Sequence, residues 1–240
     1  MMVSIVIPAY NEEECIEDVV SHLEQALTVE YEIIVVNDHS VDNTRNKVEE
    51  LKNNYKNIVL VDNQESQGFA NTLRSGFKAA SGDLIVPVMA DLCDDPATIN
   101  QMYSKIGEGY DIVCGSRYML KGKKVGGPGV KTFLSNLAGK IIYILGIPTQ
   151  DITNSFKMYK KEVIEAVDLK AESFEISMEI PLKAHLKGFK ITEIPTVWHS
   201  RVSGESSFKV MKLIPIYLKL YSWAIMKNFI KLFSFRGGKK

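Results

Sequence analysis

A chain of 240 residues that is 45% hydrophobic and 24% charged has the composition of an ordinary globular protein, with one sizeable core or one core and an appendage. Its three cysteines (Cys15, Cys93, Cys114) have neither paired metal-ligand spacing nor disulfide density, which excludes a disulfide scaffold and points to a reducing compartment. The zero net charge hides an asymmetry, because residues 201–240 carry nine Lys/Arg against the single acid Glu205, and a basic tail on an acidic body calls for an anionic partner, membrane or nucleic acid.

In chain order, Met1 runs straight into VSIVIP, an apolar run too short for a secretory leader and ended by proline, so a strand without a signal peptide is expected. Ile16, Val19, Val20, Leu23 and Leu27 then recur at helical spacing. A strand over 31–38, a polar helix over 42–53, a strand over 57–61 and a helix over 68–80 follow. DLIVPVMAD (83–91) is a fourth strand, 96–106 a helix and DIVCG (111–115) a fifth strand. Unbroken apolar strands alternating with helices predict an α/β fold, a mostly parallel sheet covered on both faces. Ligands of such sheets sit at the carboxyl ends of the strands. That rule picks out Pro8–Glu12, Asn37–Asp42, Asp91–Asp95 and Gly115–Tyr118.

Beyond Gly115 the glycine-rich, basic stretch 119–131 has no periodicity and reads as a long functional loop. A helix (132–145), a strand (152–159), a helix (175–187) and a strand (189–198) are expected after it. In the tail, 213–233, no uncharged run exceeds seven residues, which argues against a spanning helix. On a helical wheel Lys212, Lys219, Lys227 and Lys231 share a sector of about 120° and apolar or aromatic residues cover the rest. This fits a helix lying in a membrane interface; a helix packed on the domain or in a dimer is the competing reading. The expected division is a domain over 1–205 and a basic amphipathic helical segment over 206–240.

Several side chains can carry chemistry. Asp91 closes an apolar strand, where a carboxylate binds a divalent cation or a ribose, or is structural. Asp95 precedes Pro96 as an N-cap precedes a first-turn proline, and Asp42 is a second cap. Asp38 ends its strand facing the cleft, where it can accept hydrogen bonds from a nucleobase or ribose. No GxGxxG or P-loop follows the first strand, which excludes a classical NAD or ATP site.

The segments PAYNEEE (8–14), VVNDHSVDNT (35–44), QGFANTLRSGFKAASGD (67–83), MADLCDDP (89–96) and GSRY (115–118) resemble, in order and spacing, the family 2 glycosyltransferases of the GT-A fold. Within that family the chain is similar to the polyprenyl-phosphate glycosyltransferases, over about residues 1–210. The resemblance implies a Rossmann-like sheet followed by C-terminal amphipathic interface helices. It implies that Pro8, Ala9, Tyr10 and Glu12 with Asp38 grip the nucleoside of a sugar nucleotide. Asp91 matches the last aspartate of the family's Asp-x-Asp motif and becomes the ligand of Mg²⁺ or Mn²⁺. The motif's first aspartate is Met89 here, and Cys93 stands where some members have glutamine; neither sulfur binds Mg²⁺ usefully. His199 is an extra ligand or an ordinary histidine.

At the acceptor end, the resemblance gives Arg117 a substrate phosphate, the natural partner of a guanidinium. It makes 119–131 an acceptor loop, with Lys131 where arginine is common and Ser135 matched. Arg201 and Lys209 become acceptor-phosphate candidates, with a structural ion pair as the alternative. The implied function is an inverting transfer of one sugar from a nucleoside diphosphate to a polyprenyl phosphate, dolichyl or undecaprenyl, at the cytoplasmic face of the membrane. Such an acceptor is already anionic and needs no general base. Two alternatives stand: a carbohydrate hydroxyl acceptor with Glu179 or Asp151 as base, and a nucleotide-sugar-binding membrane protein without catalysis. Widely spaced lysines among aliphatic residues argue against nucleic acid as the tail's partner. The sugar, the nucleotide base and the oligomeric state are open.

Overall fold

The apolar runs that alternate with helical patterns do assemble into one sheet. A computed structural model describes residues 1–126, 129–144, 146–200 and 210–236, apart from the side chains of 130, 131, 210–213 and 228–236. The first half is β1 (Val3–Ala9), α1 (Ile16–Ala26), β2 (Tyr31–Asn37), α2 (Thr44–Asn54), β3 (Ile58–Asp62), α3 (Phe69–Ala79), β4 (Leu84–Pro87), α4 (Ala97–Gly107) and β5 (Ile112–Ser116). The second half is β6 (Lys123–Val125), α5 (Gly129–Ile144), β7 (Lys157–Lys160), α6 (Lys161–Ala166), α7 (Ile176–Lys187), β8 (Ile191–Pro195), β9 (Val197–His199) and α8 (Val210–Arg236).

The main sheet has seven strands in the order β3-β2-β1-β4-β7-β5-β8, all parallel except β7, which is antiparallel to both neighbours. Side chains pointing to one face (Ile5, Ile7, Ile33, Val35) pack with Ile16, Val20 and Leu23 of α1, Val48 of α2 and Met102 of α4. Those on the other face (Val6, Ile34, Ile85) pack with Leu73 and Phe77 of α3, Val163 of α6 and Ile180 of α7. Gly76 sets how closely α3 lies on the sheet, because a Cβ there would stand 2.2 Å from Cγ1 of Val6. The strand order reverses between β1 and β4, and the crevice beyond their carboxyl ends is where such a sheet binds ligands.

Several expected elements differ. The strand expected over 152–159 shrinks to Lys157–Lys160. The polar side chains before it bond backbone instead of pairing in a ladder: Asn154 Nδ2 donates to the Gly115 carbonyl at 2.9 Å, and the Asp151 N–H to Thr149 Oγ1 at 3.1 Å. The strand expected over 189–198 is two, β8 and β9, parted at Thr196. The expected loop 119–131 contains β6, which pairs with β9 in a two-stranded parallel ribbon, and α5 begins at Gly129. Helix α6 was not anticipated.

The tail forms one helix of 27 residues rather than several. Its Ala224 is buried, and Tyr217, Leu220, Tyr221 and Trp223 pack against Met178 and Leu182 of α7 and Ile142 of α5. Leu218 and Met226 face outward. Among the described residues no helix is long and apolar enough to cross a membrane. The expected boundary at 205/206 falls outside the described residues.

Candidate active site

The carboxyl end of β1 and the turn after β2 are built as one unit. The Ala9 carbonyl accepts the Asp38 N–H at 2.8 Å, and Asn11, with φ at +54°, accepts the Val41 N–H at 2.9 Å through Oδ1. The Glu12 N–H donates to Thr44 Oγ1 at 2.9 Å. Asp42 caps α2 by accepting the Thr44 N–H at 3.0 Å, and also takes the Glu13 N–H. These bonds hold Pro8 and a half-exposed Tyr10 at the rim of the crevice, with Ala9 buried beneath. Asp38 lies deeper than a nucleoside contact would. Its side chain is buried, with Oδ1 accepting from Asn63 Nδ2 at 2.7 Å and Oδ2 from the Gly68 N–H at 3.0 Å. Asp38 is therefore a brace joining the ends of β2 and β3 to the start of α3, and any ligand bond would use its remaining lone pairs.

The segment after β4 forms a tight loop around Asp91. The Cys93 N–H donates to Asp91 Oδ1 at 3.2 Å, leaving Oδ2 unbonded among the described residues. Between them Leu92 takes a φ of +59°, a strained choice for a branched side chain. The loop is clamped from outside, since the His199 N–H donates to the Cys93 carbonyl at 3.0 Å and Asp94 bridges to Trp198. Asp94 is buried and takes the Met89 N–H on Oδ2 at 3.3 Å. Burial first, and then the Asp91 charge, push its carboxyl up to about 7. Asp95 accepts the Ala97 N–H at 3.1 Å, the cap expected for α4. A cleft of about 360 Å³ beneath the loop is lined by His22, Met89, Asp94 and His199.

No three carboxylate, histidine or cysteine side chains converge as a metal cage among the described residues. The donor set still suits Mg²⁺ or Mn²⁺ bound as such ions are in phosphate-transfer sites, by one carboxylate with substrate phosphates and water. Asp91, with one oxygen fixed and the other open, is the residue that would hold it.

At the end of β5, Arg117 is not free to meet a phosphate with its forked face. Nε donates to Asp151 Oδ2 at 2.7 Å and Nη2 to Oδ1 at 2.8 Å, while the Arg117 N–H also donates to Oδ2 at 2.9 Å. Asp151 has no exposed surface and Arg117 only 11%. Burial alone would lower the Arg117 pKa, but the Asp151 charge and bonds outweigh it, and the guanidinium stays charged. Nη2 also reaches Ser135 Oγ and Thr153 Oγ1, both at 3.3 Å. Close by, Lys157 is fully buried, bonded to the carbonyls of Ile152, Asn154 and Ser177, and burial draws its pKa down to about 8.

Both general-base candidates are corrected by this geometry. Asp151 is locked in its ion pair with Arg117. Glu179 is buried, accepting the N–H groups of Lys170 and Ala171 and the ammonium of Lys183 at 2.6 Å. Each is a structural acceptor, so neither is open to take a proton.

The sequence profile described as glycosyl transferase family 2 matches residues 4–168. The chain belongs to this family. It is 36% identical over 213 residues to a dolichol-phosphate mannosyltransferase of Pyrococcus furiosus, covering 87% of this chain and 60% of that protein. It is 33% identical over 168 residues to an uncharacterized glycosyltransferase of Synechocystis, covering 68% of this chain and 52% of that one. The chain thus spans little more than half the length of these curated relatives. Among solved structures it is similar in fold to S. aureus TarS 1-349 in complex with UDP-GlcNAc, with a TM-score of 0.66, 22% identity and coverage of 90% and 66% of the two chains. It is also similar to the glucosyl-3-phosphoglycerate synthase of Mycobacterium tuberculosis, in complex with Mn²⁺, UDP-glucose and phosphoglyceric acid, with a TM-score of 0.67, 18% identity and coverage of 95% and 79%.

Within this glycosyltransferase family 2 chain Pro8, Tyr10, Glu12 and Asp38 stand at or just after the carboxyl ends of β1 and β2, Asp91 in the loop after β4 and Arg117 directly after β5, with Ser135 of α5 bonded to Arg117. Lys131's side chain, Arg201 and Lys209 lie outside the described residues. Of Lys121, Lys123 and Lys124 in the loop, Lys124 is tied down, donating to Thr132 at 2.7 Å and lying 5.0 Å over the Trp198 ring. Asn63, Gly68 and Thr153 were missed. The clue for Asn63 was a polar residue closing a strand, the signal that picked out Asp38.

Proposed function

We propose that this chain transfers a sugar from a nucleoside diphosphate to a polyprenyl phosphate at the inner face of the membrane, with inversion at the anomeric carbon. An oxygen of the acceptor phosphate attacks the anomeric carbon opposite the diphosphate; that bond forms as the bond to the diphosphate oxygen breaks. The acceptor phosphate, with a second pKa near 6, is largely ionised at neutral pH and has no proton to lose. The loss of Asp151 and Glu179 as bases removes the support for a hydroxyl acceptor that rested on them. Pro8–Glu12 and the braced turn at Asp38 bind and orient the nucleoside. Asp91 would hold the divalent ion, whose contribution when bound is to offset charge on the departing diphosphate. Arg117 is held by Asp151 as a neutral pair, which fixes the turn after β5 at the acceptor end rather than clamping a phosphate.

The observation that carries the lipid acceptor is the surface around Arg117. On α5, Phe133 is 67% and Ile144 82% exposed, with Leu137, Ile141 and Tyr143 also outward, and Leu120 stands free in the neighbouring loop. Lys121, Lys123 and Lys140 are exposed beside them. Apolar side chains flanked by lysines suit a membrane interface, and α8 adds Leu218 and Met226. The similarity to a dolichol-phosphate mannosyltransferase supports the same acceptor class. The test supplies radiolabelled nucleotide sugars with undecaprenyl or dolichyl phosphate and extracts the product into organic solvent. Label in the lipid phase from at least one donor is expected; none from any donor rejects the proposal.

A further inference from the structure

The transferred sugar must lie between the nucleoside and the acceptor, and one loop touches both ends. Residues 172–175 lead into α7. On one side Phe174 stacks on Phe69 with ring centroids 4.5 Å apart, next to Gly68, whose N–H bonds Asp38. On the other side Glu175 lies beside Tyr217 of α8, where burial and the carboxylate together push the phenol's pKa well up, and Arg117 acts on the same phenol. Glu175 is only 6% exposed. Its Oε1 is held by the N–H groups of Glu172 at 2.8 Å and Ser173 at 3.2 Å. Its Oε2 is buried and accepts no hydrogen bond among the described residues.

A buried carboxylate oxygen without a donor is costly, so its site is completed by something that donates. A phosphate brings only negative charge and is repelled. No cluster of metal-binding side chains includes it among the described residues. Sugar hydroxyls are neutral donors of the right kind. We propose that Glu175 Oε2 accepts a hydrogen bond from a hydroxyl of the sugar being transferred, making Glu175 a specificity-determining residue for the donor. This rests on the reading of the donor as a sugar nucleotide.

The test is calorimetric, with Mg²⁺ present and the pairs UDP with UDP-glucose and GDP with GDP-mannose as probes. Glu175→Gln keeps a carbonyl oxygen for the two N–H groups and replaces the open oxygen by a donor, so the fold is retained; the thermal midpoint checks this. The expected result is an unchanged affinity for the nucleoside diphosphate and a loss of about tenfold for its sugar, the scale of one charge-assisted hydrogen bond. Among deoxy analogues of that sugar, one should bind the wild type and the variant equally. Equal losses with and without the sugar mean that Glu175 merely stabilises its loop, and overturn the inference. So do unchanged affinities, whether turnover persists or is lost; lost turnover would make Glu175 a base. A wild type that binds no nucleotide sugar overturns the donor reading and this inference together, whereas one that binds without any Glu175 effect overturns this inference alone.

Discussion

Asp151→Asn tests the ion pair on which the acceptor end is built. The carboxylate takes two guanidinium bonds at 2.7 and 2.8 Å and the Arg117 N–H at 2.9 Å. It has no exposed surface and its partner has 11%. Removing one charge of such a pair leaves the other buried and uncompensated, which costs about 3–5 kcal/mol. For a chain of this length each kcal/mol moves the thermal midpoint by roughly 2–4 °C, so a fall of about 10 °C is expected. Guanidinium denaturation followed by circular dichroism measures the free energy directly. A double change, Arg117→Met with Asp151→Leu, should recover most of it, because apolar side chains replace a buried pair at little cost. A loss below about 1 kcal/mol for Asp151→Asn would refute the reasoning. The guanidinium would then be mobile enough to clamp a phosphate itself.

Gly139→Ala should destabilise by about 1–3 kcal/mol, since its Cβ would stand 1.8 Å from the Gln150 carbonyl oxygen and press α5 away from the Asp151 loop; denaturation midpoints check it. The Asp94 carboxyl, raised from 3.8 to about 7, keeps its proton in the folded state after the unfolded chain has lost its own. Its contribution therefore makes stability fall as pH rises from about 4 to 7, by at most about 4 kcal/mol, and Asp94→Asn measured in chelator should remove that slope. Phe133→Ser with Ile144→Ser should weaken sedimentation with phosphatidylglycerol vesicles by tenfold or more, at roughly 1.5–3 kcal/mol for each apolar side chain withdrawn from water; unchanged binding would remove α5 from the membrane surface. Met89→Asp should tighten Mn²⁺ binding in the presence of nucleoside diphosphate, read by electron paramagnetic resonance of the free ion, and an unchanged affinity would place residue 89 outside the metal's reach.

The first five strands were legible because each is a run of apolar residues bounded by polar turns, and burial on both faces demands that pattern. The crevice followed from them, since Asp38 and Arg117 follow directly on β2 and β5, although the strand expected over 83–91 ends at Pro87 and leaves Asp91 in the loop beyond it. What those residues bond to was not legible. Arg117 and Asp151 are 34 positions apart, and Asp38 and Gly68 are 30 apart, so no periodicity relates them. Only the packed sheet makes Asp38 a brace instead of an open ligand. Insertion of β7 between β4 and β5 is likewise a tertiary choice, because a four-residue strand in either direction has the same local pattern. Glu179 lies on α7 and Glu175 just before its first residue, and both are buried. Their burial depends on the N–H groups of residues 170–173, which require acceptors.

Met89 gains a physical sense from the charges around it. On the proposed reading an acceptor phosphate approaches a diphosphate, so every additional carboxylate in the crevice would raise the barrier. A unit charge about 6 Å away costs about 3 kcal/mol at an effective dielectric near 20. Here Arg117 and Asp151 cancel, burial and the Asp91 charge raise the Asp94 carboxyl to about 7, and position 89 is neutral, leaving Asp91 as the carboxylate that would hold the metal. On that reading the thioether would give up metal affinity and in exchange keep the site less repellent to an anionic nucleophile. Met89→Asp should therefore separate the two effects, with tighter Mn²⁺ and slower transfer to a phosphate acceptor. Faster transfer at saturating metal would mean that metal occupancy, rather than repulsion, limits the natural protein.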